Sequence, residues 1–229
     1  MTLSGFRRSW PRATEFSVPY FGYARQERRS AEAEPRSAQV ASRVLSTVGI
    51  DHLVTLDLRA PGLESAFSIP VANSRPNRAL LPRIGAWGLC RLTVVSPNAG
   101  ALHRAQHYAT VLEAELAAIA KSRPQIDKPE PLQVLGDVRD RTCLLVDDIA
   151  STGSTLTGAA EAILNAGASE VHAAFAHPVM ATGALVRFAS SPIKRLVTTD
   201  SIPPPTHPRI QIVGIGPMLA EAVRELLPV

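Results

Sequence analysis

The stretch 143-CLLVDDIASTGSTL-156 decides how this chain is read. An apolar run from Cys143 to Val146 enters two adjacent carboxylates, Asp147 and Asp148. Ser151, Thr152, Gly153, Ser154 and Thr155 follow, and Leu156 opens a helical pattern that Gly167 closes. An unbroken apolar run of this length suits a strand buried on both faces. Gly153 lets the backbone turn, so that successive amides point inward as an anion-binding nest, aided by the positive end of the helix dipole. The four hydroxyls add donors, and the two carboxylates accept hydrogen bonds from vicinal sugar hydroxyls. The stretch therefore suits a sugar phosphate. An ordinary strand–turn–helix needs one capping hydroxyl, whereas two acids and four hydroxyls crowd residues 147–155.

Outward from this stretch, strands and helices alternate. Strand patterns cover 14–18, 52–58, 89–97, 141–148, 170–178 and 195–201. Helical periodicity is expected over 36–48, with Val40, Val44, Leu45 and Val48 on one face, and over 102–118, 156–166 and 218–227. In the last of these Met218, Leu219, Ala222, Val223 and Leu226 make one apolar stripe. Such alternation predicts an α/β fold with a mostly parallel sheet flanked by helices. In such sheets polar groups at the carboxyl ends of strands carry function. Here those are Asp57, Ser96–Asn98 and Asp147–Asp148.

The chain has 229 residues, 45% hydrophobic and 19% charged, which suits a globular protein with a substantial core. Cys90 and Cys143 both read as buried, which argues against a disulfide framework and for a reducing, cytoplasmic compartment. No apolar run is long enough for a membrane span. The net charge of +4 favours anionic partners, but the basic residues form no stripe for nucleic acid. The first fifteen residues carry arginine and no acid before Glu15, a composition that suits a poorly ordered terminus first and a targeting segment second. His103 and His107 share a helix face at a spacing a metal can use, yet read better as a non-ligating pair. His177 ends a strand beside the candidate site.

Residues 146–156 resemble the phosphoribosyl-diphosphate-binding loop of the type I phosphoribosyltransferase fold. Further segments resemble the ribose-phosphate pyrophosphokinase family in its own motif order: 19-PYFGYARQERR-29, 55-TLDLRAPGLESAFSIPVAN-73, 94-VVSPNAG-100, 136–156 and 197-VTTDSIP-203. The resemblance implies transfer of diphosphate from ATP to ribose 5-phosphate, with Mg²⁺, giving phosphoribosyl diphosphate and AMP. It places the 5-phosphate on Ser151, Thr152, Gly153, Ser154 and Thr155, and the ribose hydroxyls on Asp147 and Asp148. It makes Lys121 and Arg123 the catalytic pair and Arg25 and Gln26 the ATP contacts, and gives Arg104 a phosphate or structural contact. Fixed cations suit a diphosphoryl group in flight, whose charge spreads over its oxygens.

Departures from the family pattern matter as much. Arg59 stands where the family has a metal-binding histidine, Asn98 where it has a metal-ligand aspartate, and Ser68 and Ala72 at acidic positions. Mg²⁺ prefers carboxylate oxygen, and arginine cannot ligate a cation. The resemblance therefore implies Mg²⁺ while the sequence offers no intact metal site and makes ATP a doubtful partner. The family's 19–26 motif lies well inside an N-terminal half-domain, so residues 1–76 are expected to be its remnant. Residues 77–205 are expected to form the domain with the ribose-phosphate loop. Residues 206–229 are expected to supply a proline-rich turn, a strand and a terminal helix packing back on the N-terminal part. An incomplete half-domain exposes sheet edges and apolar faces, which favours a homo-oligomer or association with a full-length homologue. Three functions stay open: a ribose-phosphate pyrophosphokinase with impaired activity, a non-catalytic homologue that binds ribose 5-phosphate or regulates a true synthetase, and a phosphoribosyltransferase.

Overall fold

The computed structural model describes residues 15–26, 37–58, 63–121 and 132–226, without the side chains of Arg25, Gln26 and Lys121. Arg59, Arg123 and the arginine-bearing opening segment lie outside the described residues. The chain divides into two compact units, residues 1–76 with 215–229, and residues 77–214.

The first unit holds a parallel sheet in the order β1 (Glu15–Val18), β2 (His52–Leu56), β3 (Val71–Ser74). Between β1 and β2 runs α1 (Ser37–Thr47). Its small residues Ala38 and Ser42 are the buried ones, and the Ser42 hydroxyl donates to the Ala38 carbonyl at 2.7 Å. Val40 and Val44, expected with Leu45 and Val48 on one face, are about half exposed. Their methyls line a groove of about 630 Å³ together with Phe16, Val18, Tyr20 and Leu45. The helix lies close through its small face because small side chains permit close approach, and the valine stripe serves the groove. The terminal helix α6 (Gly216–Leu226) lies against β2 and β3, with Ala222 buried and Met218, Leu219, Val223 and Leu226 half-buried.

The second unit is built on α2 (Asn77–Gly85), β4 (Leu92–Ser96), α3 (Leu102–Val111), β5 (Glu115–Lys121), β6 (Leu132–Leu135), β7 (Thr142–Ile149), α4 (Ser154–Asn165), β8 (Glu170–His177), α5 (Ala184–Ser190), β9 (Ile193–Thr199) and β10 (Ile210–Val213). Its seven-stranded sheet runs β10-β9-β8-β7-β4-β5-β6, parallel throughout except for β6. The central strand β7 explains the layers. Cys143 and Leu145 pack with Leu156, Ala159 and Ile163 of α4 and with Phe188. Leu144 and Val146 point the other way, onto Leu80 and Ile84 of α2 and Ala105 and Tyr108 of α3. Alternate residues of one apolar run thus serve two cores, so helices cover both faces. From β7 the chain moves through β8 and β9 to one edge, and from β4 through β5 to the other. The order reverses between β4 and β7, where a crevice opens at the carboxyl ends of the strands.

Several expectations are corrected. The Ala- and Leu-rich stretch 102–118 is not one helix. It breaks after Val111, Glu113 takes a left-handed φ of 49°, and 115-ELAAIAK-121 is strand β5, parallel to β4 and antiparallel to β6. Alanine favours a helix alone, but here its small side chain fits a close backbone approach by Gly136. The segment 206–229 does not act as one piece: β10 pairs parallel with β9, so residues 206–214 belong to the second unit and only 215–229 to the first. Cys90 is exposed, and only Cys143 is buried, its thiol pushed up to about 12 by burial.

Gly136 gives a direct test of this packing. It sits at φ 110°, and a Cβ there would meet the Ala117 Cβ and the Leu116 carbonyl at 2.9 Å. Gly136→Ala should destabilise the protein by about 2–4 kcal/mol through strain and overpacking. Chemical denaturation of the two proteins measures it, and equal midpoints would show that β5 does not abut residue 136.

Candidate functional site

The chain leaves β7 at Ile149 and turns through Ala150 to Gly153 before α4 begins at Ser154. Gly153 has φ 79°, and a Cβ there would come within 3.0 Å of the Phe188 ring of α5. Conformation and packing both demand glycine here. Backbone bonds brace the turn from behind: the amides of Met180 and Ala181 donate to the carbonyls of Ala150 and Ser151 at 2.9 and 3.1 Å, and the Ala150 amide donates to the His177 carbonyl at 3.1 Å. The segment 177–183 and Phe188 therefore shape the loop without being part of it. Sequence reasoning missed this support, because only the glycine, not the ring beneath it, leaves a local signal.

Ser151 is half-buried, and Thr152, Ser154 and Thr155 are exposed. Ser154 and Thr155 stand in the first helical turn rather than in a loop ahead of it. The Thr152 and Ser154 hydroxyls share a hydrogen bond at 2.9 Å, and the Ser154 amide reaches the Thr152 oxygen at 3.4 Å. These hydroxyls and the amides of the first turn of α4 form a donor cluster suited to an anion.

Asp147 and Asp148 lie side by side just ahead of this turn. The Asp148 amide donates to Asp147 Oδ1 at 2.9 Å, and Asn98 Nδ2 donates to Asp147 Oδ2 at 3.5 Å. Asn98 comes from the end of β4, across the topological switch. Its other amide atom, Oδ1, accepts the Ala101 amide at 3.2 Å and caps the turn that leads into α3. The Asp147 pKa is pushed up to about 7, first by burial, then by its hydrogen bond with Asp148 and the charge of Asp148, against the opposing effects of a backbone hydrogen bond and Arg104. The pair thus resists carrying two full charges and offers both a donor and acceptors to a ligand.

The remaining sequence-derived residues distribute as follows. Lys121 ends β5, three residues past Ala118, which pairs with Ser96. Its backbone is therefore at the same sheet edge as Asn98. Arg25 and Gln26 close a short 3-10 turn, Gly22–Gln26, of the first unit. His177 is buried and its Nδ1 contacts the Ser201 hydroxyl at 2.9 Å, tying β8 to the end of β9. His107 contacts the Asn77 side chain at 2.6 Å. In the first unit Asn73 accepts from the Leu58 amide at 3.0 Å and donates to Glu64 at 2.7 Å, clamping the turn that starts at Asp57.

The Mg²⁺ that the sequence resemblance implies does not fit the donor set. Among the described residues no group of three or more His, Cys, Asp or Glu gathers to hold a metal ion. The residue facing Asp147 is Asn98, which turns its NH₂ toward the carboxylate and spends its oxygen on the helix cap. A cation needs oxygens at that position.

The phosphoribosyl transferase domain model matches residues 84–202, just over half the chain. A ribose-phosphate pyrophosphokinase of Brucella melitensis is 38% identical over 226 residues, covering 96% of this chain and 73% of the relative. The chain belongs to the ribose-phosphate pyrophosphokinase family. A family member from Marinomonas sp. is 40% identical over 215 residues, covering 91% of this chain and 68% of the relative. The crystal structure of phosphoribosylpyrophosphate synthetase from Mycobacterium smegmatis superimposes with a TM-score of 0.90 at 30% identity, covering 98% of this chain and 74% of that one. The type I phosphoribosyltransferase-like fold follows from both. Among the described residues no helix is long and apolar enough to cross a membrane.

The raised pKa of Asp147 has a measurable consequence. A carboxyl whose folded pKa lies above its unfolded value, near 3.9, contributes stability that is full below the unfolded pKa and is lost as pH rises through about 7. Stability should therefore fall between about pH 4 and pH 7 and then level off. Asp147→Asn should flatten this part of the profile and raise the urea midpoint at pH 8. A variant as pH-dependent as the parent would show that another group titrates.

Proposed function

We propose that the chain binds ribose 5-phosphate at the tip of β7 and acts in the ribose-phosphate pyrophosphokinase reaction with a weakened transfer step. The observation that carries the reading is the intact constellation at one strand end: Asp147, Asp148, the left-handed Gly153 and the hydroxyls of 151–155 leading into α4. Ser151, Thr152, Ser154 and Thr155, with the first-turn amides, hold the 5-phosphate, while Asp147 and Asp148 accept from the ribose hydroxyls. Family membership supports ATP as the second substrate. Its β-phosphorus would be attacked by the C1 hydroxyl of the ribose, and AMP would leave. Lys121 and Arg123 are proposed to stabilise the charge on the moving diphosphoryl oxygens, and Arg25 and Gln26 to contact ATP. Free cysteines and the absence of a membrane-spanning helix among the described residues are compatible with a cytoplasmic setting.

The weak step follows from the donor set. No described cluster supplies the oxygens of a divalent cation, and Asn98 presents an amide where a ligand would be needed. A metal clamp on transferring phosphate oxygens is worth several kcal/mol in the transition state. The same observation favours a second reading, a ribose 5-phosphate-binding homologue without transfer. AMP release separates the two.

Calorimetry should show saturable binding of ribose 5-phosphate to the chain. Thr152→Val removes a donor to a charged group and should weaken binding by about 1.5–3 kcal/mol, roughly ten- to 150-fold. Equal affinities would remove Thr152 from the phosphate site. Release of AMP from ATP in the presence of ribose 5-phosphate and Mg²⁺ should stay well below about 1 s⁻¹, the low end of typical enzymes. Turnover at or above that rate would show that the donor set supports full transfer.

A further inference from the structure

Asn98 reaches from the end of β4 across the switch point to Asp147. Which way its amide points is settled by its neighbour. Only the oxygen can accept the Ala101 amide, so the NH₂ group must face Asp147 Oδ2. A second bond holds the backbone in place: the Ser96 hydroxyl donates to the Asn98 carbonyl at 2.7 Å. Asp147 is then held at both oxygens by protein donors, Oδ1 by the Asp148 amide and Oδ2 by Asn98. A carboxylate needs such donors when it must keep one orientation beside a second carboxylate. A divalent cation would do the same work only if Oδ2 were open and a further oxygen faced it.

We propose that Asn98 is a positioning residue that replaces a divalent cation at Asp147, so that this chain binds ribose 5-phosphate independently of Mg²⁺. The proposal rests on the reading of the site as a ribose-phosphate site, and it assigns that site a mode of binding. The NH₂ group neutralises part of the Asp147 charge by donation and fixes the rotamer that accepts the sugar hydroxyl. The backbone cap through Oδ1 prevents the amide from turning over. Aspartate at this position would keep the cap, since a carboxylate oxygen also accepts from the Ala101 amide. It would, however, put its second oxygen against Asp147. Two facing carboxylates repel, and a cation between them relieves the repulsion. One substitution should therefore convert a metal-free site into a metal-requiring one.

The test uses the whole chain and two independent readouts. In calorimetry, ribose 5-phosphate should bind the parent with the same affinity, within about twofold, in millimolar Mg²⁺ and in chelator. Asn98→Asp should lose about tenfold or more in chelator and recover when Mg²⁺ is added. Asn98→Ser keeps a capping oxygen but lacks the NH₂ group, and its shorter hydroxyl does not reach Asp147 Oδ2; it should lose a similar factor and not recover with Mg²⁺, which a merely structural role for the cap does not explain. In the second readout, Mn²⁺ is titrated without any sugar and free Mn²⁺ is followed by electron paramagnetic resonance. The parent should leave the ion free at concentrations where Asn98→Asp takes up one equivalent. The proposal is overturned if the parent gains tenfold or more with Mg²⁺, if the parent takes up Mn²⁺ and Asn98→Ser abolishes it, or if Asn98→Asp behaves as the parent in both assays. Failure of ribose 5-phosphate to bind in every condition would instead overturn the functional reading, and the Mn²⁺ titration would still decide the role of Asn98.

Discussion

The turn at Gly153 holds the site together, because no side chain fits between it and the Phe188 ring. The left-handed residue lets the chain leave a strand buried on both faces and enter a helix within four residues. The turn thus sets the first-turn amides of α4 only a few residues after the carboxylates near the end of β7. The backbone of 177–183 holds the turn from behind. A looser connection would leave the same hydroxyls and acids in the chain without bringing them to one place.

The two carboxylates set the electrostatic character. Burial, the side-chain hydrogen bond with Asp148 and the Asp148 charge raise the pKa of Asp147, against the Asp148 backbone hydrogen bond and Arg104, while Asn98 donates to its second oxygen. The result is a pair able to meet sugar hydroxyls as both donor and acceptor. Among the described residues it is not joined by further carboxylates into a cage of oxygens for a cation.

Much of this was visible in residues 143–156. The unbroken apolar run, the paired acids and the hydroxyl-rich glycine turn each have one dominant physical reading, and together they name a strand, a turn and a helix. Other parts were not visible. The 115-ELAAIAK-121 strand looks helical because alanine and leucine favour helices locally, and only pairing with β4 and β6 overrides them. On α1 the valines would usually mark a core, whereas here Ala38 and Ser42 are the buried residues and Val40 and Val44 line a groove. A strand after the proline-rich turn was expected, but its pairing with β9, which draws β10 into the second unit, has no local signature. Phe188 under Gly153 is likewise a contact between distant elements. The role of Asn98 could be read only once its amide was seen between Ala101 and Asp147.

The most direct test of the central claim, that the turn after β7 is the phosphate cradle, is a titration of isotope-labelled protein with ribose 5-phosphate followed by amide chemical shifts. The amides of residues 151–155 should move together and saturate with a single affinity, with Asp147 and Asp148 following. Saturable shifts confined to other elements, with 151–155 unmoved, would contradict the account.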